Sequence, residues 1–70
     1  MQKINFEIQE EFIELIKLLK ATGICGTGGE AKMVVEDGLI SVNNETEFRK
    51  RYKCKKGDII VIDNVEITIQ

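Results

Sequence analysis

Hydrophobic and polar residues alternate at the start of the chain, where Ile4, Phe6 and Ile8 are interleaved with Asn5, Glu7 and Gln9. A period of two marks a half-buried strand. From Glu10 the period lengthens, and Phe12, Leu15, Ile16 and Leu19 fall at i, i+3, i+4 and i+7. That spacing predicts one apolar face of an α-helix beginning near Glu10, widened by Ile13 and Leu18. Glu10, Glu11 and Glu14 in its first turns and Lys17 and Lys20 in its last would complement the helix dipole, and Gly23 is a natural C-terminal stop. Thr27 is followed three residues later by Glu30, a capping-box spacing. It predicts a second helix from near Gly28, with Ala31, Val34 and Val35 turned inward and Gly38 as its end.

The rest of the pattern is β. Leu39 to Val42 reads as a short strand, and Asn43-Asn44 tolerates the positive φ of a tight hairpin turn. Phe48, Tyr52 and Cys54 alternate with Arg49, Arg51 and Lys53, which would place the apolar set inward and the basic set in solvent. Lys50 breaks this alternation, predicting a bulge, a twisted edge or an irregular stretch. Lys56-Gly57-Asp58 is a turn, Ile59 to Ile62 has buried-strand character, and Asp63-Asn64 turns the chain into a last strand through Val65, Ile67 and Ile69. Helices followed by strands indicate an α+β domain.

Seventy residues form one small domain; a chain of this size buries only about 60% of its unfolded surface and has one thin core. No stretch approaches the ~20 apolar residues of a membrane span, and no secretory leader is visible at Met1-Gln2-Lys3, so the cytoplasm is the expected location. Cys25 and Cys54 have no histidine partners, since the chain contains none. A structural zinc site is not expected, nor is any cofactor. A disulfide is disfavoured in a reducing compartment. The lysines around Cys54 would favour its thiolate, although two ordinary thiols are the simpler expectation.

Charge changes the picture most. The net charge is −2, yet six of the ten basic residues lie in Arg49-Lys50-Arg51-Tyr52-Lys53-Cys54-Lys55-Lys56. Residues 1–48 hold four basic against nine acidic residues, and residues 57–70 hold three acidic and no basic ones. An acidic chain with one concentrated positive segment has a local field suited to a polyanion, nucleic acid first among them. A solvated lysine-rich edge that resists sheet-to-sheet association is the alternative.

Gly26-Thr27-Gly28-Gly29-Glu30-Ala31 matches a loose dinucleotide fingerprint, but a helix rather than a strand precedes it and the chain is too short for that fold. No Gly-Lys-Ser/Thr triplet supports a P-loop. A more general anion site remains open: the start of the second helix presents free N–H groups, Gly28 and Gly29 leave room for a phosphate, and Lys32 is within reach. The same glycines could equally serve only a tight helix–helix turn. Without histidine, and with Glu10, Glu11 and Glu14 reading as a solvated helix start, catalysis is not expected.

The order of these pieces resembles the RNA-binding domain first described in ribosomal protein S-four, the αL motif. Members carry Ser-Arg-x-x-Ala-Arg at the second helix, then Gly-x-Val-x-Val-Asn-Gly and a later Gly-Asp. The matching residues here are Thr27-Gly28-Gly29-Glu30-Ala31-Lys32, then Gly38-Leu39-Ile40-Ser41-Val42-Asn43-Asn44, then Gly57-Asp58. Gly28 and Lys32 replace the two arginines of the pattern, and Arg49-Lys50-Arg51 offers compensating charge. The resemblance covers roughly Phe12 to Ile62 and is greatest to small stand-alone, ribosome-associated bacterial members without a catalytic domain.

It implies two packed helices against a small antiparallel sheet. It also implies binding of structured RNA, ribosomal or tRNA-like, in a monomer that meets the ribosome or an assembly intermediate. The residues expected to contact RNA are Thr27, Gly28, Gly29, Lys32, Arg49, Lys50, Arg51, Lys53 and Lys55, with Tyr52 as half-buried packing that could also stack on a base. One rival is a protein-interaction module using the acidic first-helix face of Glu7, Glu10, Glu11 and Glu14. A weaker rival is a thiol-based regulator using Cys25 and Cys54.

Overall fold

A computed structural model describes residues 1–70. In chain order the elements are β1 (Gln2–Phe6), β2 (Phe12–Glu14), α1 (Leu15–Ala21), α2 (Gly28–Glu36), β3 (Ile40–Val42), β4 (Glu45–Thr46), β5 (Lys53–Lys55), β6 (Ile59–Ile62) and β7 (Val65–Ile69). The larger sheet has the order β1-β7-β6-β3-β4, and β2 pairs with β5 in a separate ribbon. Two helices with a five-stranded sheet are the α+β class that the pattern implies.

Strands β4, β3, β6 and β7 are joined antiparallel. Asn43 and Asn44 adopt φ of 52° and 71° in the β3–β4 turn, and Asp63 adopts 52° between β6 and β7. β1 instead lies parallel to β7, in register from Gln2↔Val65 to Phe6↔Ile69, so the sheet is mixed. Parallel neighbours need a long crossover, and here the intervening domain supplies it.

The first helix begins later than its periodicity predicts. Phe12, Ile13 and Glu14 are extended and pair antiparallel with Lys55, Cys54 and Lys53. α1 starts only at Leu15, with Glu14 as an extended N-cap that makes no side-chain cap. Strand pairing overrides the helical spacing because it buries Cys54 and sets Glu14 opposite Lys53, a favourable cross-strand charge arrangement. Glu7, Glu10 and Glu11 therefore lie outside α1, and no acidic first-helix face exists. Phe12 is 37% exposed and Ile16 half-buried, while Leu15, Leu18 and Leu19 are fully buried.

α2 follows the sequence closely. The Thr27 side chain accepts the Glu30 N–H at 3.1 Å, Ala31 and Val35 are buried, and Val34 packs at the edge of the core. Gly38 leaves the helix at φ 76°. One cluster unites Leu15, Leu18, Leu19, Cys25, Ala31 and Val35 of the helical half with Ile40, Val42, Ile60, Ile62, Ile67 and Ile69 of the sheet. No polar or charged residue is buried in it.

Candidate nucleic-acid interface

The basic segment is mostly a shaped loop. Residues 47–52 are irregular, and the Tyr52 N–H closes a turn on the Arg49 carbonyl at 3.1 Å, with Lys50 and Arg51 at the corners. This is where the break at Lys50 led the sequence to predict irregularity. Regular pairing is confined to β5, whose pleat buries Cys54 and turns Lys53 and Lys55 outward. Main-chain bonds hold the turn against α1: the Leu15 N–H donates to the Tyr52 carbonyl at 2.9 Å and the Ile16 N–H to the Lys50 carbonyl at 3.2 Å. Donors left unpaired at a helix start are thereby satisfied by the basic segment itself.

Side chains from this segment line one open groove of about 640 Å³, formed by Arg49, Lys50, Arg51, Tyr52, Lys53 and Lys55 with Phe48 and Glu36. Five cations thus share a groove with a single carboxylate. Lys53 also holds its ammonium 4.9 Å from the centre of the Phe12 ring. Arg49 is less free than its neighbours. Its Nε donates to Glu47 Oε2 at 2.9 Å and its Nη2 to Oε1 at 3.0 Å. The Arg49 side chain bonds hold the Glu47 carboxyl below the usual range, against the opposing effect of burial. The guanidinium lies 5.3 Å from the Tyr52 ring centre. Since guanidinium carries five N–H donors, three remain for another acceptor.

Asp58 ties together two of the residues that line the groove, Tyr52 and Lys55. Its Oδ2 accepts the Tyr52 hydroxyl at 3.1 Å and the Lys55 N–H at 3.0 Å, while Oδ1 accepts the Asn43 amide at 3.1 Å. Burial acts to raise the Asp58 pKa, but these three bonds and the nearby Lys55 charge prevail and hold it low. Asn43 in turn accepts the Ile59 N–H at 2.9 Å, so basic segment and sheet are tied through one carboxylate.

The remaining predicted contacts lie along α2. Glu36 at its C-terminal end lines the groove, and exposed Lys32 is one turn earlier on the same face. Thr27, Gly28 and Gly29 stand at the opposite end, about 12 Å from Glu36 at the rise of an α-helix. That end already receives a carboxylate, because Glu30 Oε1 accepts the Gly26 N–H at 3.2 Å. The structure therefore gathers Arg49, Lys50, Arg51, Lys53 and Lys55 around the groove, sets exposed Lys32 one helical turn from Glu36 outside its lining, and leaves Thr27, Gly28 and Gly29 farther along α2.

Residues 6–70 match the model of the S4 domain family. The chain belongs to the S4 domain family. No curated protein matches it significantly. S4 domains are in general RNA-binding modules and typically non-catalytic, and no helix of this S4 domain is long and apolar enough to cross a membrane.

Three residues that matter to the S4 groove are not legible as such in the sequence. Phe48, expected on the inward side, is 61% exposed, because the chain is not a strand there. Glu47 is half-buried under Arg49, for which its position two residues upstream is only a weak signal. Asp58 belongs to the Gly-Asp pattern, but its three partners come from separate segments. The thiolate expectation for Cys54 is overturned: its thiol is fully buried, and burial first, with Asp58 and Glu47 adding, pushes its pKa up to about 12. Burial likewise raises the Cys25 thiol, helped by Glu30, and both cysteines are free.

Proposed function

We propose that this S4 domain binds structured ribosomal RNA as a non-catalytic, cytoplasmic monomer, with the groove between Arg49 and Lys55 as the contact surface. The observation that carries the reading is the gathering of five cations around one groove in a chain whose net charge is −2. The mechanism is electrostatic. Arg51, Lys53 and Lys55 neutralise phosphates, and Arg49 adds its remaining donors from a side chain already oriented by Glu47. Lys32 extends the positive path along α2, and Lys50 supports it from the turn. The contour of an A-form helix or helix junction sets the register, as suits a surface that meets phosphates more than base edges. Thr27, Gly28 and Gly29 form a secondary contact for an RNA long enough to follow α2.

Filter-binding titration against ribosomal RNA at several salt concentrations tests this directly. Neutralisation of ~4 phosphates gives a log–log slope of about −3 to −4. Co-sedimentation in a sucrose gradient then distinguishes mature ribosomes from assembly intermediates. Negligible affinity for RNA at every salt concentration would overturn this reading.

A further inference from the structure

Phe48 presents an aromatic ring at the wall of the cationic groove, 61% exposed. It is not loosely placed: a Cβ at Gly38 would stand 3.0 Å from its Cε1 and 3.3 Å from its Cζ. The ring tip is therefore seated on the turn that ends α2. Tyr52 is poorly available for stacking, because it is half-buried, hydrogen-bonded to Asp58 and 5.3 Å beneath the Arg49 guanidinium. Glu36 lines the same groove, is exposed, and makes no ion pair; the only salt bridge in the chain is Arg49–Glu47.

A free carboxylate among cations opposes phosphate, but it is an acceptor pair for N–H donors. Guanine displays two adjacent donors on its Watson–Crick edge, N1–H and the N2 amino group, which match two carboxylate oxygens. Adenine and cytosine place an acceptor beside their amino donor, and uracil flanks one donor with two acceptors. A π-face next to backbone-binding cations is the arrangement by which proteins hold unstacked bases.

We infer that the groove holds one unpaired guanine of the RNA, stacked on Phe48 and read by Glu36, while Arg51 and Lys53 take the flanking phosphates. This rests on the RNA-binding reading above and adds a base preference to it. The site is a specificity device on a surface otherwise indifferent to sequence.

The test uses the full chain and five RNA hairpins with one stem: one without a bulge, and four with a single bulged G, A, C or U, titrated by fluorescence anisotropy. The G-bulge hairpin should bind roughly ten-fold tighter than the bulge-free one, within the range that a single base–aromatic stack confers. Phe48→Leu keeps an apolar cover over Gly38 without a π-face, and should weaken every bulged hairpin several-fold while leaving the bulge-free hairpin and the salt slope unchanged. Glu36→Gln should remove the advantage of G over A and C while the bulged hairpins remain favoured. Equal affinity of the parent chain for G-bulged and bulge-free hairpins, or a Phe48→Leu variant that binds the bulged hairpins as tightly as the parent, would overturn the guanine site while salt-dependent binding left the RNA reading standing. Absence of salt-dependent binding to every hairpin would overturn both.

Discussion

The Tyr52 hydroxyl donates a 3.1 Å hydrogen bond to Oδ2 of Asp58, and that oxygen also accepts the Lys55 N–H. The two ends of the basic segment's ordered part thus converge on one carboxylate, which also receives Asn43 from the β3–β4 turn. A row of cations repels itself; anchoring it to a half-buried acceptor lets the charges face outward without loosening the loop.

Tyr52→Phe removes one bond to an ionised acceptor at a partly exposed position and should cost about 1 kcal/mol. In a domain of this size that is a fall in Tm of roughly 4–8 °C. Asp58→Ala, which strands three donors, should cost more, about 2 kcal/mol or above. Thermal melts of the two variants check the order; an equal effect would mean that Asn43 and Lys55 gain nothing from Asp58.

Asp58 also makes stability depend on pH. Its folded pKa is depressed, so its contribution is full above the unfolded value of about 3.9 and is lost as pH falls through the folded value. Asp58→Asn should therefore be less stable than the parent at pH 6, with the difference shrinking toward acid. Chemical denaturation at pH 6 and pH 3 measures it.

The helix register is tested by contrast. Leu15→Ala empties a fully buried site and should cost ~2–5 kcal/mol, a large share of the total at roughly 0.05–0.15 kcal/mol per residue. Phe12→Ala, at a residue 37% exposed on β2, should cost clearly less. Similar losses would restore Phe12 to the core.

Combined Arg49→Ala and Arg51→Ala should leave the fold intact, since both side chains are exposed. The pair should weaken RNA binding and flatten the salt slope by about 1 for each phosphate no longer neutralised. Arg51→Ala alone should cost more than Arg49→Ala alone, because Glu47 already takes two donors of Arg49. Lys32→Glu should weaken binding without a change in Tm. A folded double variant with undiminished affinity places the RNA elsewhere.

The buried thiols should resist alkylation at pH 8 until the protein is unfolded. A raised folded pKa also sets a sign at alkaline pH: the unfolded Cys54 thiol ionises near 8.5 while the folded one stays protonated to about 12, so stability falls as pH rises above ~8.5. Cys54→Ala should lessen that alkaline loss in melts at pH 7 and pH 10. Rapid labelling of native protein at pH 8 would instead support a thiol-based role.

Features set by neighbours within a few residues were legible in the chain: the Thr27–Glu30 cap of α2, the positive-φ turn at Asn43-Asn44, the stop at Gly38 and the concentration of charge from Arg49 to Lys56. Each follows from local backbone preference or simple counting. The misplaced start of α1 shows where such signals stop: Phe12 and Leu15 have helical spacing, but β5, far along the chain, offers Phe12 to Glu14 a strand partner, and the turn before it gives Leu15 and Ile16 carbonyl acceptors. The same holds for the parallel seat of β1 beside β7, the outward ring of Phe48 on Gly38, and the buried, protonated thiol of Cys54 among lysines. These depend on pairing, packing and desolvation between segments distant in sequence. Such terms outweigh local propensity wherever a short element can satisfy more of its backbone and bury more apolar surface by joining a remote partner.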